Sequence, residues 1–401
     1  MITTLLSILI LSCSSHTTKA PKVAVTMDSP YVFPALSTKA KTYYNTEVQD
    51  KYNKLLGKTN FSGSILVAKN GEIVFEDYKG YYNYKTKEPI TETTPFHLAS
   101  ISKTFTAMSI LHLYDQGKLG LEDKVNKYIT NFPYDNVTIK NLLTHRSGLA
   151  NYVHFMDEGK VEVSYRKNKR GKMVRTTRVI SRAPRINKLL SNEEVVKYMV
   201  DNKIQMEGRP DRSFRYCNTN YILLAMIVEK VTGMYFPDYM KDSVFAPLGM
   251  THSFIFNIKT ANDYVPSYQY NNAAFPLEKF DCIYGDKNVY STVRDMLLWD
   301  KALYAGTFVS KQTLEMAFMP YSNESRSMHN YGLGWRLLVK PDETIVYHNG
   351  WWHGNNTVFT RLIKDTATII VLGNKFNRLI YKSKEISGVF SKAADALHDE
   401  E

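Results

Sequence analysis

The sequence predicts an α+β chain in which one sheet, built from both ends, holds a helical insert. Two observations carry this. Segments of strand character cluster at residues 61–75 and again after Tyr331, and the region between shows helical spacing closed by glycines. At 401 residues the chain can bury a large core, as one big domain or two interleaved ones, and it shows no internal repeat.

Taken in order, the chain begins with Leu5-Leu6-Ser7-Ile8-Leu9-Ile10-Leu11-Ser12, an apolar run too short to span a bilayer. Residues 1–12 read as a signal peptide. The sequence Ile10-Leu11-Ser12-Cys13 resembles a bacterial lipobox, which implies lipidation of Cys13 and a membrane-anchored protein of the cell envelope facing the periplasm. A plainly cleaved signal and an uncleaved anchor are the other readings. Residues 13–42, rich in Thr, Ser, Pro and Lys, read as a tether before a domain over 43–398. Tyr43 to Leu56 looks helical. Phe61 to Ala68 and Glu72 to Phe75 flank Lys69-Asn70-Gly71, and Asn-Gly signals a hairpin.

His97 to Ala107 opens an amphipathic helix, with Ile101, Phe105, Met108 and Leu111 as its apolar face and Gly117 as its stop. Ser100 and Lys103 share one face of it. A serine in the first turn sits where free N–H groups and the dipole favour developing negative charge. An ammonium one turn away can favour the alkoxide, or act as base if burial lowers its pKa. Ser-x-x-Lys is an acyl-transfer signature, although alone a weak one. A second match, Ser164-Tyr165-Arg166-Lys167, lacks helical apolar spacing.

Asn141 to Leu149 reads as a short helix closed by Gly148. Helices resume near Asn192 and from Thr219 to Val231, ending at Gly233. Four strand-like runs follow Tyr331, and Lys384 to Leu397 reads as a closing helix. The formal net charge is +12, and ten Lys or Arg fall between Arg166 and Lys188 with no Asp or Glu. The basic excess is therefore local, within an insertion at 160–190 that forms either a β-hairpin arm or a loop. It reads as a solvated surface, a lid for anionic substrates, or a contact for an anionic membrane or polymer. Three scattered cysteines make neither a disulfide framework nor a zinc site.

A nucleophilic serine needs a proton acceptor, an oxyanion hole and groups that hold substrate. Tyr216-Cys217-Asn218, just before the Thr219 helix, can supply a proton relay and an amide, or merely a helix cap. His348-Asn349-Gly350 ends a strand, where an imidazole can donate to a substrate carbonyl and the glycine lets backbone approach. A satisfied structural histidine is the alternative there.

Ser100-Ile101-Ser102-Lys103, Tyr216-Cys217-Asn218 and His348-Asn349-Gly350, in that order, resemble the serine β-lactamase and penicillin-binding superfamily, in its class C and esterase-like branch. Leu142 to Leu149, Pro247-Leu248-Gly249-Met250, Tyr290 to Asp295 and Tyr331-Gly332-Leu333-Gly334-Trp335 add to the likeness. It implies a β-lactamase/transpeptidase-like fold: a mixed antiparallel sheet (about 43–90 and 328–398) flanked by helices, with an all-helical lobe (about 91–327). By motif position it makes Ser100 the nucleophile, with Lys103 and Tyr216 as acid and base. Asn218, His348, Gly350 and Trp351 become substrate-binding residues, the backbone N–H groups of Ser100 and Trp351 forming the oxyanion hole. No metal or cofactor is expected. The partners implied are a small-molecule or peptide substrate and, through the lipid anchor, a membrane; no nucleic acid is expected.

Asn349 departs from the small hydroxyl residue usual in that strand motif, and Trp351-Trp352 is bulkier than usual. Both changes point to an aromatic-walled cleft and away from β-lactam turnover. Cys217 stands where serine is usual, as a tolerated swap or as a redox-sensitive one. The function expected is an exported serine hydrolase cleaving an ester or amide through an acyl-enzyme. The alternatives are a D-amino-acid peptidase, penicillin-binding or β-lactamase activity, and a non-catalytic scaffold.

Overall fold

A computed structural model of the chain describes residues 31–159, 161–179 and 183–390. The signal-like run, Cys13 and the first part of the tether lie outside the described residues, as do residues 391–397 of the expected closing helix. Helix α1 (Thr38–Tyr52) starts inside the stretch read as tether, because Ser37 caps it by accepting from Ala40 N at 3.2 Å.

Strands β1 (Gly63–Lys69) and β2 (Glu72–Lys79) make the expected hairpin, with Asn70 and Gly71 at φ 51° and 68° as a type I′ turn demands. The sheet is completed late in the chain by β3 (His329–Tyr331), β4 (Arg336–Val339), β5 (Thr344–Trp352), β6 (Asn355–Leu362) and β7 (Ala367–Gly373). The spatial order is β3-β4-β5-β6-β7-β1-β2. Every pairing is antiparallel, in keeping with the antiparallel sheet that the resemblance implied. Strand β7 lies beside β1, with Gly373 opposite Gly63, so the two ends of the chain share one sheet.

Alternation along the strands divides the sheet into two buried faces. Ile65, Val67, Val358, Ile369 and Val371 pack against α1 and the 3₁₀ turns Arg378–Val389. Those turns begin six residues before the expected closing helix. Leu66, Phe359, Ile370 and Leu372 face the larger core that continues into the helices.

Helix α2 (Ser102–Asp115) is buried on every side from Ser102 to Leu111, so it is central and not amphipathic. Its polar residues are satisfied internally: Thr104 Oγ1 donates to Ile101 O, Thr106 Oγ1 to Gly285 O and Ser109 Oγ to Phe105 O. Helix α3 (Ile139–Leu143) ends before Gly148, the chain turning instead at His145, whose φ is 54°. Helix α4 (Asn192–Asp201) starts with a Ser191–Glu194 capping box, and α5 (Thr219–Thr232) ends on Gly233 at φ 73°.

The lobe is not all-helical. Phe96–His97, Val289–Ser291 and Phe254–Ile255 form a small sheet within it. The basic insertion is a two-stranded arm, Val161–Lys167 paired with Met173–Val179. Helix α6 (Val293–Ala305), placed in the lobe by sequence, packs on β1 and β7. Its Asp300 and Arg361 of β6 form a buried ion pair that Thr368 joins. Among the described residues no helix is long and apolar enough to cross a membrane.

Candidate active site

Ser100 lies half-buried in a 3₁₀ turn, Ala99–Ile101, that runs straight into α2. Ala99 has φ 49°, a left-handed conformation that an L-alanine adopts only under constraint. The constraint is visible. Ala99 N donates to His97 Nδ1 at 3.0 Å, so the His97 proton is on Nε2, which donates to Asn288 Oδ1 at 2.9 Å. Leu98 N donates to Val289 O at 2.8 Å. The small sheet thus pins the turn that presents the serine.

Lys103 is fully buried, and its Nζ donates to Ser100 Oγ at 3.1 Å and to the backbone carbonyl of Asp286 at 2.8 Å. Nζ also stands 5.0 Å from the centroid of the Tyr216 ring and 5.6 Å from that of Tyr221. Among the described residues Lys103 makes no ion pair with a carboxylate, and its side-chain partner is the serine hydroxyl. The second Ser-x-x-Lys falls on a strand of the arm, where residues three apart point to opposite faces.

Tyr216 is half-buried, and the backbone after it is held by His145. Cys217 N donates to His145 Nδ1 at 3.2 Å. Ser147 Oγ donates to Asn220 Oδ1, which leaves the Asn220 amide nitrogen to donate to the same Nδ1. The His145 proton is therefore on Nε2, a buried atom without a hydrogen-bond partner, in a ring 4.3 Å from that of Tyr216. Burial, then the charge of Lys103, holds His145 well below the usual histidine range. Asn218 occupies the N-cap of α5 but does not cap it with its side chain. Its Oδ1 is buried without a protein partner. Cys217 is 2 % exposed and burial pushes its thiol up to about 11, so the redox-sensitive reading does not hold.

On β5, residues His348, Gly350 and Trp352 face the serine turn, and Asn349 and Trp351 face the other way. Gly350 presses on the turn: a Cβ there would meet Leu98 O at 2.4 Å and Ala99 Cβ at 2.9 Å. Strand β4 covers β5 only from Thr344 to Tyr347. His348 is 1 % exposed and fully engaged. Its Nδ1–H donates to Asn349 O at 2.7 Å, so Nε2 accepts from Tyr331 O–H at 3.2 Å. Burial, then Arg336 and Lys103, keeps the ring well below the usual range and hence neutral. The expected donation from His348 to substrate is thus replaced by a structural bond. The aromatic wall is also divided. Trp352 is tied to Asp281 through Nε1 at 2.7 Å, whereas Trp351 is 64 % exposed with its ring 6.4 Å from that of Phe376.

Several participants escape the sequence. Arg336 places its guanidinium 5.5 Å from the Tyr216 ring centroid. Asp286 acts through its carbonyl, and its carboxylate joins the buried Tyr152 and Lys287 at 2.9 Å and 3.7 Å. His145 and Tyr331 stand in two of the family-like phrases, which was their only signal. Glu278, Asp281 and His353 bring ligand atoms within 4.8 Å of one another, the one such trio among the described residues. The Asp281 oxygens are already taken by Trp352, His353 and the Glu278 N–H, so the trio reads as a brace.

The Beta-lactamase family model matches residues 51–382. The chain belongs to that family. This Beta-lactamase family member is 32 % identical over 349 residues to penicillin-binding protein 4* of Bacillus subtilis (strain 168), covering 82 % of this chain and 71 % of that protein. The D-amino acid amidase of Ochrobactrum anthropi SV3 superposes with a TM-score of 0.65 at 19 % identity, over 86 % of this chain and 97 % of the amidase. EstCE1, a hydrolase with promiscuous acyltransferase activity, gives 0.68 at 17 %, over 88 % and 100 %. These two likenesses establish the fold. With serine and lysine in contact, the family member is a serine hydrolase.

Proposed function

We propose that the protein is an exported hydrolase that cleaves an ester or amide bond through an acyl-enzyme on Ser100. The observation that carries this is the contact of 3.1 Å between Lys103 Nζ and Ser100 Oγ, with the Asp286 carbonyl fixing the lysine. Ser100 Oγ bonds to the carbonyl carbon and its proton passes into the Lys103–Tyr216 pair. The backbone N–H groups of Ser100 and Trp351 hold the oxyanion, and the amide of Asn218 orients the acyl side. Collapse expels the leaving group, which takes up the proton. Water then attacks the ester under the same base and frees Ser100. Export rests on the apolar run before Cys13, for which a lipid anchor to the membrane is the accompanying proposal.

A non-catalytic scaffold has no need of a strained serine turn and a buried lysine together. The likeness to penicillin-binding protein 4* supports a second reading, action on D-amino-acid peptides or β-lactams. Labelling the protein with a fluorophosphonate and with a fluorescent penicillin, side by side with Ser100→Ala, tests both. The fluorophosphonate is expected to label wild type and not the variant, whose fold survives because a lost helix-start hydroxyl costs about 1–2 kcal/mol at most. Undiminished ester hydrolysis by folded Ser100→Ala removes Ser100 from the mechanism. Faster labelling by penicillin than by the fluorophosphonate favours the second reading.

A further inference from the structure

The basic arm lies outside the catalytic machinery, and its chemistry is specific. All thirteen residues from Val163 to Arg175 are exposed. Six of them are cations (Arg166, Lys167, Lys169, Arg170, Lys172, Arg175) and none is acidic. The tip is built and not a chance loop: Gly171 N donates to Asn168 O at 2.9 Å, and Asn168 Oδ1 accepts from Arg170 N and Lys172 N. Gly171 supplies the left-handed residue, φ 75°, that closes a three-residue hairpin loop.

The register sorts the side chains. Tyr165 lies opposite Arg175, Lys167 opposite Met173 and Val163 opposite Thr177, so these share one face. Arg166 lies opposite Val174 on the other. Tyr165 is 64 % exposed, Met173 53 %, Val174 43 % and Val163 41 %. A two-stranded ribbon is marginal in water, and this one spends its apolar residues on solvent while surrounding them with positive charge.

We propose that the arm docks this protein on an anionic lipid bilayer, the apolar side chains entering the headgroup region while the six cations meet lipid phosphates. A soluble polyanion would satisfy the cations and leave Tyr165, Met173 and Val174 in water. A second copy of the arm would set six positive charges against six. Only a surface both apolar and anionic meets the whole set.

Co-sedimentation of the full chain with phosphatidylcholine vesicles, and with vesicles of phosphatidylcholine and phosphatidylglycerol, tests this at physiological salt. Lys169→Glu with Arg170→Glu and Lys172→Glu, and separately Tyr165→Ser with Met173→Ser, are compared with wild type, so residues 1–30 are common to all. Wild type is expected to prefer the anionic vesicles. The charge reversal is expected to weaken that binding by more than about a hundredfold, since loss of the three cations alone, at about fivefold each, gives that much. The apolar pair is expected to weaken it about tenfold with charge unchanged. Hydrolysis of a small soluble ester is expected to stay constant, which shows that the variants are folded. Equal binding to both vesicles, or wild-type binding by Tyr165→Ser/Met173→Ser, overturns the proposal, the latter in favour of a polyanion. A dimer in sedimentation velocity that either variant dissolves overturns it in favour of self-association.

Discussion

Gly350→Ala reports on how closely β5 rides on the nucleophile turn. The added Cβ would stand 2.2 Å from Thr357 Oγ1, 2.4 Å from Leu98 O and 2.9 Å from Ala99 Cβ. Thr357 cannot swing aside, since it is buried and its hydroxyl donates to Leu98 O at 2.8 Å. Ordinary contact begins near 3.4 Å, so strand and turn must part by about 1 Å at Leu98. That separation opens the space between the N–H groups of Ser100 and Trp351. Overpacking of this kind costs about 1–3 kcal/mol, which leaves a folded protein with a lower Tm. A misplacement of about 1 Å costs on the order of a hundredfold in rate. The expected result is kcat for a nitrophenyl ester down about a hundredfold, with KM changed far less. Fluorophosphonate labelling, which on the proposed mechanism draws on the same pair of N–H groups, should slow in parallel. Gly120→Ala is the control, because a Cβ there meets nothing closer than 3.5 Å. A Gly350→Ala enzyme with kcat within about threefold of wild type and an unchanged Tm refutes the reasoning.

Stability should fall with acidification below about pH 6.5. Burial depresses His97 to about 4 and holds His145 and His348 well below their ordinary value, so below pH 6.5 the unfolded chain binds protons that the folded one refuses. Each such histidine removes up to about 1.4 kcal/mol per pH unit, and urea midpoints equal at pH 7.5 and 5.5 would exclude this. Asp300→Ala should destabilise by about 3–5 kcal/mol, because it leaves the guanidinium of Arg361 buried and unpaired; a loss under about 1 kcal/mol in denaturant melts contradicts it. Short nitrophenyl esters should exceed cephalosporins in kcat/KM, because His348 is neutral and already bonded to Tyr331 and so gives a substrate carboxylate no fixed charge. A cephalosporin value above the ester value ends that expectation.

What is local could be read from residue types and their spacing. Ser100 and Lys103 meet because three residues of helix bring side chains onto one face, whatever surrounds them. The Asn70-Gly71 turn, the Ser191 cap and the Gly233 stop are equally local, each set by the backbone angles that its residues tolerate. Sequence also placed His348 at the end of a strand, which in fact runs on through Trp352, but the duties of His348 and Trp351 depended on what lies across the sheet. Tyr331 takes the His348 nitrogen that substrate was expected to use, and alternation turns Trp351 to the side away from Ser100. The apolar spacing of α2 could not reveal that its polar face is buried too, because Thr104, Thr106 and Ser109 find carbonyls within the fold. Above all, the Asp286 carbonyl that fixes Lys103 comes from 183 residues further along the chain. A backbone carbonyl carries no side-chain signature, so only the tertiary structure, by folding that segment over α2, could decide which one aims the lysine at the serine.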